Sequence, residues 1–432
     1  MPTDKLVVLL IDAFRHDYIN AIDTPFLHRQ IDQSLYARKL TTTCGFTQRT
    51  VIFSGQMGTN TGAYTVFSFD EEDSPFRFAR GDQRLARFSR EQHWTEQLGS
   101  SLFARVLRRL LATRHRQQRR DFLQWLRSES KKYATNAPTM CIPLEILPEI
   151  GVSEDVKPIH EAGGLAVESL FDVMIRAEIP YHYLMYPVVN CDDDGVVQAL
   201  IDHRNEERFV LFSQFSEPDA QVHLCGPSDY RRRSVAGEID RKLRELVDTF
   251  DDDTTWLLFA DHGMTDVTTR LDIRGSLKSR EQHHNVQFGR DYLLFLDSTL
   301  ARFRWKTERG QRFIESLADD ESLRKHGYFI DDEYASRFSL PLKDRCFGDL
   351  IWQANIGVLI CPDYFRGQDS ETNGMHGYNP DEEDMKGFAM VFGDKVTPRT
   401  IDTASLLDIC PTVCDLLELD PPAGCEGRSI LL

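Results

Sequence analysis

The sequence predicts an α/β fold in which a mostly parallel central sheet is covered by helices on both faces, with two cap regions inserted into it. Three observations carry this. Short runs that are apolar on both faces recur along the chain. The stretches between them repeat their apolar positions at helical spacing. Polar residues able to do chemistry gather where the apolar runs end.

The runs are Leu6–Ile11, Tyr181–Tyr186, Phe209–Phe215, Thr255–Ala260 and Ala389–Phe392. Each has strand length and is rich in β-branched or aromatic residues, with no polar alternation. That pattern suits central strands buried on both sides. From Val235 onward, Val235, Ile239, Leu243, Leu246, Val247 and Phe250 recur every three or four residues, which is one face of a helix. Two stretches break the rhythm. The first, 74–160, carries the apolar stripe Leu102, Phe103, Val106, Leu107, Leu110 and Leu111. Between Arg105 and Lys132 it holds ten Arg or Lys against Asp121 and Glu129. It is read as a basic helical insert. The second, 269–372, contains hairpin-like pieces, Tyr292–Asp297 and Leu300–Trp305, and a helical stretch near Gln311–Leu317. It is read as an α+β cap. The core is then formed by 1–73, 161–268 and 373–432.

Composition agrees with a globular protein. Of 432 residues, 41% are hydrophobic and 28% charged, enough to bury a sizeable core. The 51 basic and 68 acidic residues leave a net charge of -17, which repels a nucleic-acid polymer. An anionic substrate would need a local positive centre to receive it. The early apolar run stops at Asp12, too short for a signal-peptide core or a spanning helix. Nine cysteines without CxxC pairs point to free thiols in a reducing compartment. The expectation is a cytoplasmic protein without a transmembrane segment; the sequence is silent on oligomeric state.

The polar residues at the strand ends are Asp12, then Asp219 and His223 after Phe209–Phe215, then Asp261-His262-Gly263 after Thr255–Ala260. His376 stands in Gly374-Met375-His376-Gly377. Ligands bind at the carboxyl ends of parallel strands, so these residues are expected to converge. Carboxylate oxygens with imidazole nitrogens suit zinc or a similar divalent ion. Singly, each has a plainer role: a strand-end Asp caps a helix, and a His between glycines is structural. Other candidates are weaker. The acidic runs Asp192–Asp194 and Asp251–Asp253 read as solvated turns, His283-His284 as an exposed loop, and Cys410 and Cys414 as core packing.

Asp12-Ala13-Phe14-Arg15 resembles the metal-binding start of the alkaline phosphatase superfamily, in its type I phosphodiesterase/nucleotide pyrophosphatase branch. Glu217-Pro218-Asp219 with His223 and Gly226-Pro227 is similar to that branch's second motif. Asp261-His262-Gly263-Met264 and Met375-His376-Gly377 resemble its third and fourth. Asp408 to Val413, with Gly427-Arg428-Ser429, looks like the closing helix and turn. The resemblance implies two divalent ions and a small phosphorylated substrate, the ions expected as zinc with manganese the alternative. One would be held by Asp219, His223 and His376, the other by Asp12, Asp261 and His262, with a nucleophile hydroxyl beside them. Two cations about 3.5–4 Å apart clamp both the attacking and leaving oxygens of a phosphoryl displacement.

The family's nucleophile is a Ser or Thr at a helix start, expected within Thr41–Thr50. Counting back ten residues from Gly55 gives Gly45, which has no hydroxyl; Thr47 is the nearest one, flanked by Thr43 and Cys44. A sulfatase-type use of Cys44 needs a different residue at Phe46 and Arg one place earlier than Arg49. Where the branch has a phosphate-contacting Asn, counting gives Val66. Thr47 is therefore the expected nucleophile and metal contact, and Arg49 the expected substrate-binding cation. The expected activity is hydrolysis of phosphodiesters or pyrophosphates through a phospho-threonine. The alternatives are a phosphomonoesterase, phosphonate hydrolase or phosphotransferase on the same core, or a catalytically silent binding protein.

Overall fold

The computed structural model describes residues 3–82, 84, 116–130, 141–154, 157–342, 345–367 and 371–432. Its centre is the first strand, β1 (Lys5–Ile11), in which every residue from Leu6 to Ile11 is at most 3% exposed. Successive side chains of a strand point to opposite faces. Leu6, Val8 and Leu10 accordingly enter one apolar layer, and Val7, Leu9 and Ile11 the other. A strand with no polar face must be covered on both sides, as the sequence predicts.

Six further strands complete the sheet: β2 (Leu35–Thr41), β3 (His182–Leu184), β4 (Phe209–Phe215), β5 (Thr255–Phe259), β6 (Gly387–Phe392) and β7 (Arg399–Ser405). Their order is β7-β2-β6-β5-β1-β4-β3. β1 runs parallel to both β4 and β5, so their carboxyl ends open on one edge. β6 is the exception, antiparallel to β2 and β5. Helix α1 (Gln48–Ser54), α2 (Leu170–Arg176) and α6 (Ile409–Leu416) cover one face through Val51, Phe53, Phe171, Ile409 and Val413. The other face is covered by α3 (Asp193–Asp202) and α5 (Arg231–Thr249), whose Val196, Leu200, Ile239, Leu243 and Leu246 pack there; α4 (Glu217–Cys225) follows β4. Cys410 and Cys414 are buried in the first layer.

In the second cap, Tyr292–Leu296 and Leu300–Trp305 form the expected antiparallel pair. Leu350–Ala354 and Gly327–Phe329 extend it to four strands. The helix Glu308–Ser316 packs against it through Phe313 and Ile314. The two stretches read as inserts contribute to one apolar cluster. Phe76, Phe122, Ile142, Leu144 and Ile146 of the first join Leu293, Phe295 and Phe303 of the second. Of the basic stretch, Arg116–Ser130 is helical; Leu102–Leu111 with Arg105, Arg108 and Arg109, and Lys131 and Lys132, lie outside the described residues.

Three local expectations change. His283-His284 ends the helix Ile273–His284 instead of lying in a loop. Asp192 caps α3 by accepting from Gly195 N, and Asp193 is buried and accepts from Ser216 N. The acidic run is thus an anchor for the β4–α4 turn, not a solvated bend. Asp251 and Asp253 pair with Lys5 at the start of β1.

Candidate active site

Each candidate ligand is placed by the end of an element. Asp12 follows β1, and its backbone N–H donates to Phe215 O at the end of β4. Asp261 and His262 follow Ala260, one residue past β5. Asp219 and His223 stand four apart on α4, on one helix face. His376 follows a two-residue strand, Gly374–Met375, which pairs with Thr265–Asp266 just beyond His262. Gly374 is dictated by space. A Cβ there would lie 2.5 Å from Val222 O and 2.7 Å from Met264 Sδ. Only glycine lets this strand lie so close to α4, and the approach brings Gly374 O to 2.7 Å from His223 Nδ1.

The six residues gather in two triads, Asp219/His223/His376 and Asp12/Asp261/His262, with donor atoms in each within 4.8 Å of one another. Asp219 Oδ1 is 3.2 Å from His223 Nε2 and 3.7 Å from His376 Nε2. His262 Nε2 is 3.4 Å from Asp12 Oδ1 and 3.6 Å from Asp261 Oδ2. The His262 and His376 rings stack at 3.9 Å, joining the triads into one centre.

The donor chemistry fits a pair of divalent cations. His223 Nδ1 is fixed on Gly374 O and His262 Nδ1 on Gly263 O, at 2.7 and 2.9 Å. Each thereby turns Nε2 toward its triad as the nitrogen that would meet a cation, the usual arrangement around metal-binding imidazoles. Asp219 Oδ1 and His376 Nδ1 are buried without a hydrogen-bond partner. Burial, and then the neighbouring Asp261 and Asp219 carboxylates, push Asp12 well above the ordinary carboxylate range. Burial raises Asp261 as well, although His262 opposes it. Burial also resists ionisation of Asp219, but His223, His376 and His262 outweigh it and hold its carboxyl low. Burial and the adjacent His262 keep His376 far below its usual value, hence neutral and able to ligate. With two divalent ions bound, the three ionised carboxylates would leave a net single positive charge, the sign that attracts a phosphate ester.

Two supporting residues were not among the expected ones. Gln214 Nε2 donates to Asp12 Oδ2 at 2.7 Å, and its Oε1 accepts from Arg49 Nη2 at 2.7 Å. Its signal in the sequence is a lone amide near the end of the mostly apolar β4. Arg49 also donates to Tyr186 O. It is thus tied to Asp12 through Gln214. Arg366 Nη2 lies 2.9 Å from His223 Nε2, on the atom that would meet a cation. It sits in a loop with no motif to mark it.

The segment before α1 departs most from expectation. Gly45 has φ +83, and a Cβ there would come within 1.9 Å of Tyr64 O. A hydroxyl side chain has no room at the counted position. The Phe46 ring meets His376 edge-on at 5.8 Å. Thr47 is the N-cap residue of α1 and is 3% exposed, yet its hydroxyl makes no capping bond. It lines a small cavity with Thr43, Cys44, Val51, Phe338 and Leu340, none of them a triad residue. Burial pushes the Cys44 thiol up to about 12, so it holds its proton at neutral pH. Val66, at the counted Asn position, packs against the cap core.

This sheet, with its paired Asp/His triads at the strand ends, defines an alkaline-phosphatase-like α/β protein. The family model for type I phosphodiesterase / nucleotide pyrophosphatase matches residues 6–379. The chain therefore belongs to that family, whose members are metal-dependent phosphoric ester hydrolases. Mouse ectonucleotide pyrophosphatase/phosphodiesterase family member 7 is 24% identical over 232 residues, covering 52% of this chain and 51% of that protein. GPI ethanolamine phosphate transferase 3 of Eremothecium gossypii is 28% identical over 115 residues, 25% of this chain and 11% of that one. The chain thus matches about half the length of the first relative and a tenth of the second. Murine ectonucleotide pyrophosphatase/phosphodiesterase 5, as an inactive form in complex with AMP, superposes with a TM-score of 0.66 at 16% identity, covering 97% of this chain and 96% of that one. The human protein of the same name gives 0.64 at 15%, covering 96% and 95%. These likenesses show a shared fold. Among the described residues no helix is long and apolar enough to cross a membrane.

Proposed function

We propose that this chain hydrolyses phosphate diesters or pyrophosphates, including nucleotide-like ones, at a two-metal centre. The observation that carries the reading is the joining of the two Asp/His triads through the stacked His262 and His376 rings. When bound, two divalent ions, with zinc the first choice for such a nitrogen and oxygen set and manganese the second, supply Lewis-acid stabilisation of the phosphoryl oxygens and lower the pKa of a nearby hydroxyl. Asp219, His223 and His376 hold one ion, and Asp12, Asp261 and His262 the other. Gln214 fixes the direction of the Asp12 carboxylate and links it to Arg49, which adds positive charge on the substrate side.

Thr47 is our choice of nucleophile. Its neighbours on both sides reach the centre, Phe46 at His376 and Arg49 through Gln214, and its hydroxyl is not engaged in capping. It would attack phosphorus as the ester oxygen leaves, forming a phospho-threonine that water then cleaves. The high pKa of the Cys44 thiol supports a hydroxyl over that group. One observation favours a second reading, a phosphate-ester binder without turnover: the closed space at Gly45. The test is hydrolysis of bis-(p-nitrophenyl) phosphate and p-nitrophenyl phosphate by protein loaded with zinc or with manganese. The proposal expects chelator-sensitive turnover with the diester preferred. Tight binding of a nonhydrolysable analogue without turnover of either ester or of a dinucleoside pyrophosphate would establish the second reading.

A further inference from the structure

Away from the triads, three more metal-ligating side chains converge. His182 opens β3, the last strand of the sheet, whose ladder partner is β4. His203 caps the carboxyl end of α3, and Glu206 lies three residues before β4 begins. These are the amino ends of β3 and β4, opposite the edge that carries the catalytic triads. Glu206 binds both imidazoles at once, with Oε2 3.0 Å from His182 Nε2 and Oε1 2.6 Å from His203 Nδ1. The two rings stack at 3.8 Å with 28° between their planes. One donor atom from each residue lies within 4.8 Å of the other two.

We propose that His182, His203 and Glu206 form a separate divalent-cation site of zinc type that fastens the edge strand β3 to the α3–β4 connection. The donor set is two nitrogens and one carboxylate, which selects zinc or a similar transition ion over calcium or magnesium. Tetrahedral zinc with ~2.0–2.1 Å bonds sets its ligand atoms ~3.3 Å apart. The two nitrogen–oxygen separations, 3.0 and 2.6 Å, are both shorter than this, so the side chains must open to admit the ion. Without a metal, each nitrogen facing Glu206 must carry a proton to hydrogen-bond it. A neutral ring meets this with the tautomer protonated on that nitrogen, and a divalent ion held there needs each ring to carry its proton on the outer nitrogen instead. All three side chains are partly exposed, at 34%, 24% and 41%, leaving a fourth position open to water and the ion a path in from solvent.

The plainer alternative is a carboxylate bridging two imidazoles by hydrogen bonds alone. The experiment compares the full-length protein with His182→Ala/His203→Ala and with Glu206→Gln, all stripped by chelator and dialysed. Zinc binding is followed by competition with a chromophoric chelator, and melting temperature is recorded with and without zinc. The catalytic triads contribute equally to every protein, so the comparison isolates this site. The proposal expects the double variant to bind one zinc fewer and to lose part of the zinc-dependent rise in melting temperature. It expects Glu206→Gln to bind that ion at least tenfold more weakly. Diester turnover remains at the parent level, and magnesium or calcium gives no difference between parent and variants. Equal zinc stoichiometry and equal zinc-dependent shifts in all three proteins would overturn the site and leave the hydrogen-bonded bridge.

Discussion

Gly374→Ala tests how the backbone builds the first triad. The added methyl would meet Val222 O at 2.5 Å and Met264 Sδ at 2.7 Å. The sulfur can swing aside, but the carbonyl belongs to α4 and cannot. The Gly374–Met375 strand must therefore retreat by several tenths of an ångström. That motion stretches the 2.7 Å contact from His223 Nδ1 to Gly374 O and displaces His376 two residues on. Overpacking of this kind costs ~1–3 kcal/mol of stability. Loss of a supporting hydrogen bond behind a metal-binding imidazole weakens metal affinity ~10–100-fold, or ~1.4–2.8 kcal/mol. The assay is zinc titration against a competing chelator, with circular dichroism to check the fold. The expected outcome is one ion weakened by one to two orders of magnitude while the ion on Asp12, Asp261 and His262 keeps its affinity. A folded Gly374→Ala protein that binds both ions as tightly as the parent would refute the reasoning.

Three other outcomes follow from the same geometry. Thr47→Ala should keep metal and fold but lose turnover by orders of magnitude, whereas Cys44→Ala stays largely active; the reverse, or phosphate trapped on another side chain, would move the nucleophile. Gln214→Ala removes the tether between Asp12 and Arg49 and should lower affinity for the second ion ~10–100-fold, with circular dichroism unchanged. Asp193, whose carboxyl burial raises to about 6, is destabilising once ionised. Its folded pKa lies above the unfolded value of 3.8, so its contribution to stability is full below that value and is lost as pH rises through about 6. Asp193→Asn should therefore be more stable than the parent at pH 7, by up to ~3 kcal/mol, and lose that advantage near pH 4 in urea melts. An advantage independent of pH would show that the carboxylate's charge is not its cause.

Much of this architecture was legible because burial leaves a mark on composition. β1 could be read from an apolar run with no polar face, and the same runs placed Asp12, Asp219, Asp261 and His262 at strand ends. His376 was legible through its glycines, although the reason, the approach of Gly374 to Val222, is visible only in three dimensions. The direction of β6 was not legible, since a fully buried antiparallel strand has the same composition as a parallel one. Nor was the apolar cluster common to the two stretches read as inserts, which joins Phe122 and Ile146 to Phe295 across long sequence separation. Arg366 escaped notice because a loop arginine carries no periodicity. The triad at His182, His203 and Glu206 was missed for a related reason: its residues lie on separate elements, and His203 with Glu206 reads as an ordinary polar turn. The nucleophile segment remains the least regular part, because Gly45 reshapes the turn that a hydroxyl residue would occupy.

The most direct test of the central claim is elemental analysis of purified protein in a His182→Ala/His203→Ala background, which isolates the catalytic triads. The account predicts two divalent ions per chain. Asp219→Ala should remove one and Asp12→Ala the other, with diester hydrolysis lost in both and abolished in the parent by a chelator. Trace metal only in the parent, together with hydrolysis that chelators leave untouched, would contradict it.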